Sequence, residues 1–250
     1  MVSESFMHAI LLSSHREGIV LDAAEFDQFA DEYREMLRNV TGVTGEAPEY
    51  FAEYKIKELA EVVKRRKLQP SSILDFGSGT GSSIPYMRQF FPTATLTCAD
   101  ISQRSLDVAE ERFPAMCTPL LMDSDSVPAA DQSFNLLFTA CVFHHIPHSE
   151  HQHWLRELLR VSRPGAVFTM FEHNPLNPLT TRAVRQCPFD ENAVLIRAGE
   201  MARRFKKAGW KEPEVRYHLF FPNALSGLRR FEPAMAGIPL GAQYSVSAKK

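Results

Sequence analysis

From residue 71 onward, short apolar runs alternate with amphipathic stretches. Residues 72–76, 94–99, 119–122, 134–139 and 166–171 are continuous apolar runs of strand length, while 85–91, 102–113, 149–161 and 198–208 carry helical spacing. The stretch 149–161 is the best marked of the helices. Ser149 to Gln152 fits a capping box, and Trp154, Leu155, Leu158, Leu159 and Val161 make one apolar stripe. Apolar strands alternating with helices predict an α/β fold, a parallel sheet covered on both faces. The C-terminal end departs from this rule. Residues 214–221 and 242–248 read as strands with only a short apolar helix between them, which predicts a hairpin-like pair. Ahead of the alternation, 22–38 and 47–67 read as two helices, the second carrying Tyr50, Phe51, Tyr54, Ile56, Leu59, Val62 and Val63. The expected organisation is an N-terminal helical appendage or lid over 1–70 and one globular unit over 71–250.

Composition narrows the function classes. At 44% hydrophobic and 23% charged residues the chain is globular in character. A net charge of −2 leaves no basic surplus for nucleic acid, so the expected partner is a small molecule. The basic runs Lys64-Arg65-Arg66-Lys67 and Arg203-Arg204 to Lys206-Lys207 close predicted helices, where cations complement the dipole. Cys98, Cys117, Cys141 and Cys187 form no C-x-x-C pair, as expected of reduced thiols in a cytoplasmic protein. The apolar stretch 6–12 lacks the basic flank and small-residue site of a leader. No run approaches the roughly 18–20 apolar residues of a membrane span, so no stable membrane insertion is expected. Nothing in the pattern speaks to oligomeric state.

The chemistry is concentrated after the first strand, in Asp75-Phe76-Gly77-Ser78-Gly79-Thr80-Gly81. Glycines there allow a tight turn with φ > 0 and let a ligand approach the backbone. A dinucleotide-binding loop reads G-x-G-x-x-G; here the spacing is G-x-G-x-G, with Ser82 at the place of the third glycine. Asp100 ends the second strand nineteen residues past Gly81, where an acid can take both hydroxyls of a ribose. Met122-Asp123-Ser124 ends the third, within reach of an adenine amine. Three strand ends on the carboxyl edge at the switch point predict a nucleoside site.

Those stretches, together with Ala99-Asp100-Ile101, Phe134-Asn135-Leu136-Leu137-Phe138, Val142-Phe143-His144-His145-Ile146 and Arg160-Val161-Ser162-Arg163-Pro164-Gly165, resemble the motifs of class I S-adenosylmethionine-dependent methyltransferases. The resemblance covers 71 to about 172 and, through the final strand pair, extends toward 250. It implies a doubly wound, mostly parallel seven-stranded sheet with an antiparallel last strand, and S-adenosylmethionine as cofactor. It also implies that the glycine loop, with Gly77, Ser78 and Gly79, lies along the methionine part, with Asp100 on the ribose and Asp123 on the adenine amine. Asp75, Ile101, Ser124, Thr139 and Ala140 would border the same cofactor site. Asn135 departs from the family, which has an acid there, at a position expected on the surface. Upstream, Phe26-Asp27-Gln28-Phe29-Ala30-Asp31-Glu32-Tyr33 is similar to the N-terminal element of quinone C-methyltransferases, where the tyrosine helps to close the cofactor site. The resemblance would give Tyr33 that role.

Methyl transfer requires the nucleophile in line with the methyl and, for an alcohol or phenol, removal of a proton. His144, His145 and His173 follow the fourth and fifth strands on the edge where the methyl would lie, and histidine titrates near neutrality. Glu172 is a natural partner for His173. The histidine run 144, 145, 148, 151 and 153 is expected to hold no metal, because Pro147 interrupts its first i, i+4 pair and no cysteine or carboxylate cluster completes a ligand set. Residues 219–240, rich in Phe, Leu, Met and Pro, are either core or the wall of an apolar, lipid-like acceptor site. The leading expectation is methyl transfer to a small molecule. The rivals are a methyltransferase-like protein that binds cofactor without transfer, and a nucleotide-dependent oxidoreductase.

Overall fold

The computed structural model describes residues 45–187, 190 and 192–250. Tyr33 and the helix expected over 22–38 lie outside these residues. Helix α1 (Pro48–Arg66) starts with proline in its first turn and ends at Lys67 in the left-handed conformation. The alternation follows: β1 (Ser72–Phe76), α2 (Ile84–Phe90), β2 (Thr95–Asp100), α3 (Gln103–Arg112), β3 (Thr118–Leu121), β4 (Phe134–Ala140), α4 (His151–Val161) and β5 (Ser162–His173). Beyond it come α5 (Pro178–Gln186), α6 (Ala198–Ala208), β6 (Lys211–His218), a 3₁₀ segment (Asn223–Phe231), the single turn α7 (Glu232–Met235) and β7 (Gln243–Lys249).

The seven strands form one sheet in the order β3-β2-β1-β4-β5-β7-β6. The pairs among β1 to β5 are parallel, and β7 runs antiparallel between β5 and β6. Strand order reverses beside β1, so a crevice opens at the carboxyl ends of β1 and β4. Successive residues of β1 and β4 feed opposite faces. Ile73, Leu136 and Phe138 pack with Ile56, Leu59 and Met87 of α1 and α2. Leu74 and Leu137 pack with Trp154, Leu158, Met201 and Phe205 of α4 and α6. Helix α1 therefore covers the sheet as one of its layers. No helix among the described residues is long and apolar enough to cross a membrane.

The structure corrects some local expectations. The capping box at Ser149 does not form: α4 begins at His151, and its cap, Glu150, makes no side-chain capping bond. Pro147 sets a turn first, its carbonyl accepting the Glu150 N–H at 2.9 Å, and Gln152 reaches away to the Arg204 carbonyl. The sixth strand ends at His218, not 221, freeing 219–222 to turn over the sheet edge. Helix α5 was not expected; Asn177 caps it, accepting the N–H groups of Leu179 and Thr180. Asn135 does more than sit at a surface. Its Oδ1 accepts the Ser71 and Ser72 N–H groups and its Nδ2 donates to the Gln69 carbonyl, tying β4 to the start of β1.

Candidate functional site

A cavity of about 880 Å³ lies over the crevice, and its lining runs from the glycine loop to the ends of β4 and β5. Its first half is built by the turn after β1. The Gly77 and Ser78 N–H groups donate to the Ala99 carbonyl at 2.8 and 3.1 Å, folding the loop against β2. Gly77, Gly79 and Gly81 all have positive φ. The three differ in what surrounds them. A Cβ on Gly77 would lie 2.4 Å from a Val142 methyl, and one on Gly81 would lie 2.6 Å from Ile84, so both are demanded by packing. A Cβ on Gly79 would meet nothing within 4 Å; there bare backbone faces the cavity.

Two carboxylates hold this half. Asp100 accepts the Gly79 N–H at 2.8 Å on Oδ2 and the Ser102 N–H at 3.0 Å on Oδ1. Asp75 is buried at the end of β1 and accepts a hydrogen bond from the Ser83 hydroxyl. Burial pushes its carboxyl up to about 7 against the pull of Ser83 and Lys55. Ser78, Ile101 and Ala140 also line the cavity. Asp123 and Ser124 do not: both are exposed, and Asp123 accepts from the Ser126 hydroxyl while Met122 takes the cavity wall. Thr139 is buried and donates to the Phe76 carbonyl at 2.7 Å, securing the ends of β4 and β1 together.

The second half gathers residues distant in sequence. Glu172, buried on β5, accepts the N–H groups of Val142 and Phe143 on Oε1 and bonds His144 Nδ1 at 2.6 Å on Oε2. The other ring nitrogen of His144 meets Asp190 Oδ1 at 3.3 Å. Burial opposes charge on His144, but the two carboxylates outweigh it and hold the ring well above its ordinary value. His144 is thus held behind the cavity wall by two carboxylates and is not placed to take a substrate proton. His145 and His173 line the cavity. Burial and the neighbouring His144 charge push His145 down to about 3.

Sequence reasoning singled out neither Cys141 nor Lys55 for the site. Cys141 follows β4 with φ +60° and faces the cavity. Lys55 Nζ approaches its sulfur at 3.6 Å and Gln243 Nε2 at 3.8 Å. Burial raises the thiol, but His173 and Lys55 more than reverse this and bring it to about 7. The third missed group is Asp190, in a segment without periodicity. A positive φ at a non-glycine residue and a carboxylate arriving from a loop leave no sequence signal. The apolar stretch 219–240 divides: Leu219, Phe220, Phe221 and Pro222 line the cavity, whereas Leu225, Leu228, Phe231, Ile238 and Leu240 are exposed and outside it. The stripe is neither sheet core nor one continuous wall.

Residues 73–165 match a family model described as a methyltransferase domain. A phthiotriol/phenolphthiotriol dimycocerosates methyltransferase of Mycobacterium tuberculosis is 25% identical over 108 residues, 43% of this chain and 39% of that protein. The ribosomal RNA small subunit methyltransferase G of Lacticaseibacillus paracasei is 34% identical over 100 residues, 37% of this chain and 41% of that one. The alignments thus span about two fifths of these relatives' lengths. Among solved structures, an S-adenosylmethionine-dependent methyltransferase from Thermotoga maritima superposes with a TM-score of 0.64 at 19% identity, covering 91% of this chain and 99% of that one, and shares its fold.

Proposed function

We propose that this chain, whose residues 73–165 match a methyltransferase-domain family model, is a class I S-adenosylmethionine-dependent methyltransferase that methylates a small molecule apolar over much of its surface and polar at the reacting end. The cavity carries this reading. It joins the glycine loop to a polar cluster at the ends of β4 and β5, and its lining also carries Tyr50, Phe51, Tyr86, Phe113, Phe220 and Phe221. A pocket lined by apolar side chains with a few convergent polar groups suits a small acceptor. The cofactor, when bound, supplies a methyl group already activated on a sulfonium sulfur.

The residues present fit that cofactor. The bare backbone at Gly79 leaves room for its methionine part, and the Asp100 carboxylate lines the cavity at the end of β2, where ribose hydroxyls would donate to it. At the acceptor end, Gln243 Oε1 is buried without a hydrogen-bond partner among the described residues and offers an acceptor to an incoming donor. His145 stays neutral at pH 7. A ring that protonates only near pH 3 is a weak base, so its role is to orient a hydroxyl or amine by hydrogen bonding. His144, fixed between Glu172 and Asp190, positions the chain around it.

Two measurements test this reading. S-adenosylhomocysteine raises the melting temperature, with roughly 2.7 kcal/mol of stabilisation at a hundredfold excess over Kd, while NAD does not. An equal shift with NAD overturns the cofactor assignment. Radiolabelled methyl from S-adenosylmethionine then passes to a member of an alkyl-phenol and alkyl-amine series, with kcat/KM rising with chain length. Transfer confined to RNA or to small polar metabolites overturns the apolar acceptor.

A further inference from the structure

We propose that His144, His173 and Asp190 form a binding site for a divalent transition-metal ion of the zinc class, open toward the acceptor end of the cavity. One donor atom from each of the three lies within 4.8 Å of the others. The contact from His144 Nε2 to Asp190 Oδ1 is 3.3 Å, and His145 Nε2 lies 3.4 Å from the same oxygen. Two ligands on a tetrahedral ion with bonds of about 2.0–2.1 Å stand about 3.4 Å apart, so the His144–Asp190 pair already has the spacing of shared ligands. The His173 donor atom lies within 4.8 Å of the other two, so closing the third edge calls for a rotation of the His173 ring.

The donor set of imidazoles and one carboxylate suits zinc, iron, cobalt or nickel. The surroundings match as well. A metal-bound histidine characteristically donates its other N–H to a carboxylate that fixes the ring, and His144 has this arrangement: Nδ1 meets Glu172 at 2.6 Å while Glu172 is itself held by two backbone N–H groups. The cation would take the place of the proton that His144 Nε2 shares with Asp190. Histidine spacing along the chain cannot reveal this set, because Asp190 comes from 46 residues beyond His144 and His173 from the next strand. His173 and Asp190 line the cavity, so a fourth position faces the acceptor, as in sites that use a metal to hold a substrate oxygen or nitrogen.

The placement beside the acceptor rests on the methyltransferase reading; metal binding itself does not, and the two are measured apart. The full chain is stripped with a chelator and titrated with Zn²⁺ by calorimetry, then loaded with Co²⁺ and read by visible absorption, all without cofactor. The expected result is one ion per chain. Glu172→Gln, which keeps the ligands and loosens the orienting bond, weakens binding about 10–100-fold, and His173→Gln and Asp190→Asn weaken it further. Azide shifts the Co²⁺ spectrum by entering the open position. Affinity for S-adenosylhomocysteine, measured alongside, stays unchanged in His173→Gln and reports on the methyltransferase reading alone. Failure of wild-type protein to take up stoichiometric Zn²⁺, or uptake unaltered in both ligand variants, overturns the site. A Co²⁺ spectrum indifferent to azide overturns its opening to the acceptor. Circular dichroism confirms that each variant is folded; should both ligand variants unfold, the wild-type titration and cobalt spectrum decide.

Discussion

The two halves of the cavity are built by different means. The half over β1 and β2 comes largely from one stretch, residues 75–83, with Asp100 added from the adjacent strand. The half over β4 and β5 draws Cys141, His145, His173, Asp190 and Gln243 from four separate segments and places Lys55 of α1 against them. The first half is therefore a local motif whose geometry follows from backbone permissiveness. The second is a product of topology, and it exists only because β5 lies between β4 and β7. Changes to the first should act through backbone and cofactor, and changes to the second through the acceptor alone.

Gly77→Ala should give the largest effect. Its Cβ would lie 2.4 Å from Val142, a side chain of the other half, at a φ of +70°. Overpacking and a left-handed alanine together cost roughly 2–5 kcal/mol by denaturant unfolding. Pairing it with Val142→Ala should recover the overpacking part and leave the backbone part. No recovery would mean that the two halves do not meet at this contact.

Asp75→Asn should follow, with a dependence on pH. The folded carboxyl protonates near 7, above its unfolded value of 3.8. The stability it contributes is fully present below the unfolded value and is lost as pH rises through about 7. Asparagine does not titrate, so the variant should gain on wild type between about pH 4 and 7, by up to roughly 4 kcal/mol at 1.36 kcal/mol per unit. Urea unfolding at pH 4.5 and pH 8 checks this; a gap independent of pH would show that the buried carboxyl is ionised throughout.

Asp100→Ala should weaken S-adenosylhomocysteine binding about tenfold to a hundredfold, or roughly 1.5–3 kcal/mol, measured by calorimetry. The variant also frees the N–H groups of Gly79 and Ser102, so some loss of melting temperature should accompany it.

The smallest effect expected comes from the acceptor side. Phe221→Ser should raise the acceptor's KM about tenfold with cofactor affinity unchanged, the loss of one partly buried aromatic contact. Phe231→Ser should change neither, because that ring is 48% exposed and lies outside the cavity. Steady-state kinetics against both ligands separates the two, and equal effects would return the whole stripe to the acceptor wall.

Much of the protein was decided by sequence alone. Continuous apolar runs predicted strands buried on both faces, which holds for β1 and β4 but not for the exposed edge strand β3, and the terminal pair without a long helix between its members predicted the antiparallel return. The glycine loop was legible because its requirement is local: positive φ and absent Cβ atoms are properties of the residues themselves. Packing divided the roles within that loop, assigning Gly77 and Gly81 to neighbours and Gly79 to the cavity. Which histidine faces the cavity was likewise a tertiary matter. His144 and His145 are adjacent in sequence, yet the turn after β4 sends one to Glu172 and Asp190 and the other to the cavity wall. Burial and charge then separate the pair, holding His144 protonated and His145 neutral. Fields of that kind depend on groups tens of residues away, and only the folded chain brings them within a few ångströms.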